Sequence, residues 1–288
     1  MITLDEVCRR AQTLPCSPAL LPRLIELLER HDAEIDELAQ LIQLDPLLAA
    51  ATLRMANSAF FGPQRAAETV AEAVMRLGMR ELYRLAALSL TSRWMDISVD
   101  GYRWEAGDFC RASLVKAVAA ETLARRSGKV NSDVAYTCGL VHEIGKLALA
   151  YSCGDLFPQI RVRCAASGCT WLEAEMAILG FNHASVSARL LAEWRFPAAC
   201  VAVSTYNPPD ENVPEEYRTL AAHVHAAHHL AASFGAGQGE DEFLYTLKFE
   251  LLEEHGLGAT FIEEALPEIL ERSSKLLREK LSTGRIVF

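Results

Sequence analysis

Along this chain apolar residues recur at intervals of three and four, while alternating period-two stretches bounded by turn residues are scarce. That pattern predicts an all-α protein. Ile35, Leu38, Ala39 and Ile42 form one such stripe. Asp45-Pro46 reads as the next helix start, since the Asp side chain can accept from free N–H groups and proline's fixed φ suits a first turn. Leu48, Thr52 and Met55 give that helix its inner face. Thr69 is placed to cap a helix carrying Val70, Val74 and Leu77, which Gly78 ends in a left-handed conformation. A helix with Leu82, Leu85 and Ala86 follows.

The mixed polar segment from Asp96 to Gly107, containing Gly101 and Gly107, reads as a linker and divides the chain into two helical lobes, 1–100 and 101–288. In the second lobe Leu114, Val115, Val118 and Leu123 mark a helix closing on Arg125, Arg126, Ser127 and Gly128. Ser132 opens a helix that carries Val141-His142-Glu143-Ile144-Gly145-Lys146. Another begins near Asn182 and holds His183, Val186, Leu190 and Trp194 on one side, with Pro197 beyond its end. Asn207 to Pro214 is proline-rich and polar, hence an irregular loop. The rest predicts helices over Tyr217–Ser233, Glu240–Glu254 and Thr260–Lys280, with Gly235 to Gly239 as a connection.

Composition narrows the class. Hydrophobic residues make up 51% and charged residues 23%, which suits a globular chain and leaves no room for a long disordered tail. The first ten residues carry no secretory pattern, and no apolar run approaches the ~20 residues a bilayer needs, so no membrane association and a cytoplasmic location are expected. Eight cysteines occur without a C-x-x-C pair, which predicts free thiols. A net charge of -10 disfavours contact with a phosphate backbone, so DNA is not an expected partner.

Few residues promise chemistry. Neighbouring helical positions such as His142 and Glu143 sit about 100° apart and can share an ion only when it lies over the groove between them. A hydrogen-bonded, partly buried His beside a solvated Glu satisfies the same sequence. His183 lies on an apolar stripe and suits a core histidine as well as a ligand. His223, His225, His228 and His229 crowd one helix, where His225 and His229 have the i, i+4 spacing of a zinc clip but lack the Glu of an H-E-x-x-H protease. Arg161 and Arg163 offer phosphate contacts or ordinary solvated surface. With no G-x-S-x-G elbow, acyl transfer has no support.

Several motifs occur together in order and spacing: Leu14-Pro15 with Pro18 and Leu21-Pro22, Asp45-Pro46-Leu47-Leu48, Leu53 to Gly62 including Asn57 and Ser58, and Ala73 to Gly78. They continue with Gly139 to Leu147 and His183 to Pro197. Over about residues 14 to 209 the chain resembles the HDOD family, a bacterial signalling group related to the HD and HD-GYP metal-dependent phosphohydrolases. The resemblance implies a helical lobe beside a degenerate HD-type bundle.

Catalytic relatives surround one or two metals with an early His, the His-Asp pair, further His residues and a late Asp. By that resemblance the early His position is Ala112, Glu143 replaces the Asp, Tyr206-Asn207 replaces a His-His pair, and His228 falls at the late Asp. His142, Glu143, His183 and His228 are the residual set, while Asp45, Pro46, Asn57, Ser58, Gly62, Gly78, Gly145, Trp194 and Pro197 are family positions expected to be structural. Alanine offers no ligand and un-ionised tyrosine a poor one, so a shell able to activate water is not expected to assemble. The expectation is therefore a regulatory module without metal, cofactor or catalytic residues, binding a signalling protein or a small regulatory ligand. A divergent metal-dependent phosphohydrolase and a nucleotide sensor that does not hydrolyse its ligand are the rivals.

Overall fold

The structure, a computed structural model, describes residues 2–12, 20–30, 34–44, 46–58, 66–92, 100–236, 239–241 and 247–283. Among these residues the secondary structure is helices and turns, apart from an isolated bridge residue at Trp104, with no strand. The chain forms two compact units, Pro15–Arg93 and Met1–Leu14 with Trp94–Phe288.

The first helix joins the larger unit and not the lobe that follows it in sequence. Helix α1 (Leu4–Ala11) is capped by Thr3, whose side chain accepts from the Glu6 N–H at 3.2 Å. Its buried face, Val7, Cys8 and Ala11, needs an apolar partner, and the helix packs on α8 (Ile144–Cys153) and α11 (His183–Glu193).

Within Pro15–Arg93 lie α2 (Leu20–Glu29), α3 (Ile35–Gln43), α4 (Pro46–Ala56) and α5 (Val70–Ser92), with α5 packed on the other three. Thr69 caps α5 by accepting from Glu72 N–H at 3.1 Å. Gly78 breaks the helical geometry inside α5 with φ 72 and ψ 164, which is not the expected left-handed helical value but a region open almost only to glycine. The two expected helices therefore meet at a kink on Gly78 inside the span of α5. Asn57 is tied to Ala67, accepting from Ala67 N–H at 2.7 Å and donating to Ala67 C=O at 3.0 Å. Asp45 and Gly62 lie outside the described residues.

The larger unit is built around α6 (Asp108–Ser127), fifteen of whose twenty residues are buried, which makes it an axis and not a surface helix. It is covered by α7 (Ser132–Val141), α13 (Glu215–Ser233) and α15 (Ala259–Thr283). Fully burying Leu114, Leu123 and similar side chains contributes roughly 1.5–3 kcal/mol each. Helices α9 (Phe157–Ser167), α10 (Trp171–Leu179), α12 (Ala198–Thr205) and α14 (Phe249–Glu254) complete the unit. Of the helix expected over 240–254, the described part is helical in the α sense only at α14, and Glu240 and Asp241 lie in a tight turn.

The expected linker also changes character at its end. Asp100–Tyr102 is a 3-10 turn, and Tyr102 and Trp104 are buried in the core at 0% and 2% exposure. Tyr102 stacks edge-on against Phe157 at 4.8 Å and lies 5.3 Å from Trp171, so apolar contact outweighs the local glycine content.

Candidate functional site: a buried His, Glu and Lys cluster

The helix expected to run through His142 and Glu143 instead breaks there. His142 is the C-cap of α7, and Glu143, with φ -109 and ψ 17, precedes the first residue of α8. The break turns both side chains to one side. Gly145 permits it: a Cβ there would lie 2.1 Å from the His183 carbonyl and 2.6 Å from Ser187 N, so α8 meets the start of α11 backbone to backbone. Ser187 Oγ accepts from Gly145 N–H at 2.8 Å across the contact.

His142, Glu143 and His228 each present one ligand-capable atom, and the three atoms lie within 4.8 Å of one another. All three residues are buried. The His142 Nδ1 faces the carbonyls of Cys138 (3.2 Å) and Gly139 (3.1 Å), which favours a proton on that nitrogen and leaves Nε2 bare, 3.4 Å from His228 Nδ1. Burial pushes the His142 imidazole down to about 3, with the neighbouring ammoniums adding to the effect.

Two lysines complete the cluster. Lys116 Nζ is bonded to Glu143 Oε2, and Lys146 Nζ lies 2.6 Å from Glu143 Oε1 and 2.6 Å from Asp241 Oδ2. Both lysines are 2% exposed. Glu143 is therefore a doubly paired buried carboxylate, not the solvated one the sequence allowed. Burial by itself would raise its pKa, but Lys116 and Lys146 outweigh that and hold the carboxyl well below the usual range. Trp104 Nε1 donates to Asp241 Oδ1 at 3.0 Å, and its ring lies 5.3 Å from Lys146 Nζ. Two carboxylates thus face two ammoniums beside histidines, of which His142 is neutral.

His183 is inward and 4% exposed, as its stripe predicts, but it is not one of the converging ligand atoms. Glu175 holds it, with Oε2 2.8 Å from His183 Nδ1 and accepting from His183 N–H at 2.8 Å, while Tyr102 donates its hydroxyl to Glu175 Oε1 at 2.6 Å. The family positions Trp194 and Pro197 flank the end of α11 and the start of α12 and are half-buried.

The remaining histidines of α13 have separate partners. His223 donates to the Thr219 carbonyl at 2.7 Å and meets Ser127 Oγ at 2.8 Å. His225 Nε2 accepts from Lys248 N–H at 3.1 Å, so the lone pair on that nitrogen is already used. Ala112 is buried on α6 one turn before Lys116, on the same face. Arg161 turns to Glu240 and to the Gly101 carbonyl at 3.3 Å, while Arg163 stays exposed.

Sequence reasoning missed Lys116, Asp241, Glu175, Tyr102 and Trp104. A lone Lys inside the apolar run Leu114 to Ala120 was the one available signal, because a lysine there must be buried and paired.

The HDOD domain model matches residues 14–208, and the chain belongs to the HDOD family. A protein of uncharacterised function from Treponema pallidum is 24% identical over 76% of this chain. The chain spans only 42% of that relative's length. Among solved structures, an HDOD domain protein of unknown function from Geobacter sulfurreducens is 22% identical with a TM-score of 0.66, covering 99% of this chain and 98% of its own. A candidate signal transduction protein from Marinobacter aquaeolei is 24% identical with a TM-score of 0.70, covering 97% of this chain and 61% of its own. A candidate phosphohydrolase from Shewanella amazonensis is 24% identical with a TM-score of 0.64, covering 94% and 97%. At these identities the likeness establishes a shared fold. No helix among the described residues is long and apolar enough to cross a membrane.

Proposed function

We propose that this chain is a non-catalytic regulatory module that acts by binding a protein partner, with its HD-type centre converted into a metal-free structural cluster. The observation carrying the reading is the pair of ammoniums on Glu143, one at each carboxylate oxygen. A divalent ion would have to displace both lysines: Lys116 would then be buried without its carboxylate, a cost of several kcal/mol, and Lys146 would keep only Asp241. Ala112 supplies no ligand on the facing helix. Metal-assisted hydrolysis needs an open cationic site that lowers the pKa of a bound water, and the residues here do not fit that requirement.

The convergence of His142, Glu143 and His228 within 4.8 Å favours one rival, a divergent metal-dependent phosphohydrolase. Elemental analysis of the purified chain, with a turnover assay on a generic phosphodiester in added zinc or manganese, separates the two. The regulatory reading expects substoichiometric metal and no turnover. Stoichiometric metal with hydrolysis abolished by His142→Ala would overturn it. A nucleotide sensor has less support, because Arg161 is engaged by Glu240. Thermal stabilisation of the chain by a nucleotide would restore that alternative.

A further inference from the structure

We propose that the cleft between the loop around Pro209–Val213 and helix α14 is the docking site for a basic, amphipathic peptide segment of a partner protein. This deepens the partner-binding reading above and rests on it. The cleft encloses about 630 Å³, within the range that holds a few side chains of a ligand. At its edge stands Phe249, 67% exposed, an aromatic anchor of the kind that contributes most where a partner covers it. Leu247 and Leu251, both half-buried, extend the apolar surface.

Charge selects the occupant. The basic side chains lining the cleft are committed to the loop itself: Arg218 donates to the carbonyls of Val213 at 3.1 Å and Glu211 at 3.2 Å, and Lys248 Nζ donates to the Pro209 carbonyl at 2.6 Å. They fix the shape of the cleft and keep their donors turned to backbone. The carboxylates of Asp210, Glu211, Glu250 and Glu254 line the same cleft, all exposed, and none forms a salt bridge with a described residue. Such a rim repels phosphate, nucleotide, nucleic acid and anionic lipid. It steers and orients a segment that presents Lys or Arg around one or two large apolar side chains.

The test is selection of random twelve-residue peptides on the full chain, followed by affinity measurement on the wild type, on Phe249→Ala and on Glu250→Lys/Glu254→Lys. The changed side chains are exposed, and a circular dichroism melt verifies that the variants stay folded. The proposal expects enriched peptides that combine basic and large apolar residues. Their affinity should fall at least tenfold for each variant and weaken with salt, with hydrogen-exchange protection over residues 209–213 and 248–255. No enrichment, enrichment of acidic peptides, or peptides that bind both variants as tightly as the wild type would overturn it. Phosphodiester turnover would defeat the non-catalytic reading without touching these outcomes, whereas failed selection on an inert protein defeats this inference alone.

Discussion

Replacing Lys116 by Met tests whether the ammonium pair holds the buried cluster together. In the wild type Lys146 lies 2.6 Å from a carboxylate oxygen of Glu143 and 2.6 Å from one of Asp241, while Lys116 serves Glu143. Without Lys116 a single ammonium must serve two buried carboxylates, at 4% and 8% exposure for their residues. One negative charge is then uncompensated in the core, and breaking a buried pair this way costs about 3–5 kcal/mol. That is a large part of the ~5–15 kcal/mol available to a domain, and for a unit of this size it corresponds to a fall in Tm of roughly 10 °C. Urea unfolding followed by circular dichroism at neutral pH measures it.

The companion variants make the reasoning specific. Glu143→Gln in the Lys116→Met background removes the orphaned charge, so the double variant should be more stable than Lys116→Met alone, with a coupling energy on the order of 2 kcal/mol. Lys116→Met also frees Glu143 Oε2 beside His142 and His228, so zinc should raise the Tm of this variant and leave the wild type unchanged. A loss below about 1 kcal/mol, additive effects in the double variant, or zinc stabilisation of the wild type would refute the assignment of Lys116 as the internal counter-charge.

Three further outcomes follow from the geometry. Gly145→Ala drives a methyl group into the His183 carbonyl and should cost ~3 kcal/mol or more, read as a lower urea midpoint; a neutral effect would mean α8 and α11 are not in backbone contact. Gly78→Ala has open space around its Cβ but a backbone geometry hostile to alanine, so a loss of ~1–3 kcal/mol without any packing clash is expected. Burial lowers the His225 pKa from its ordinary value of 6.5 to about 3. The unfolded chain therefore takes up a proton over that window while the folded chain does not, and stability present above about pH 6.5 is lost as pH falls. His225→Gln keeps an acceptor for Lys248 N–H and cannot titrate, so its stability should fall less steeply below pH 6.5, by about 1.4 kcal/mol per pH unit; an unchanged slope would contradict a neutral His225.

What the sequence disclosed followed the reach of its signals. Periodicity located the helices because burial of one face is a local property, and the signature around His142 pointed to a position that His228 reaches from α13. The break at His142-Glu143 left no trace, since apolar residues continue in helical rhythm on both sides of it. Tyr102 and Trp104 were hidden by the glycines beside them, which suggested a linker where aromatic packing decides the outcome. Asp241 had no local signal at all: its role comes from Lys146 and Trp104, both distant in the chain. Lys116 stood between these cases, visible as a charge in an apolar run but without a nameable partner.

A divalent ion and two ammoniums bring the same charge to a buried carboxylate, yet they differ in what they can do next. The ammonium donates hydrogen bonds and has no vacant coordination position, so it balances charge without polarising a water or a phosphoryl oxygen. A core containing Glu143 and Asp241 needs counter-charge whether or not any reaction occurs, and Lys116 and Lys146 supply it from within the chain. On the proposed reading this separates two properties that a metal centre would join: the larger unit folds without an ion, and its surface, including the acidic cleft beside α14, is where selectivity resides. Metal dependence of folding and metal dependence of binding should accordingly both be absent in the wild type, and restoring either one should require removing a lysine.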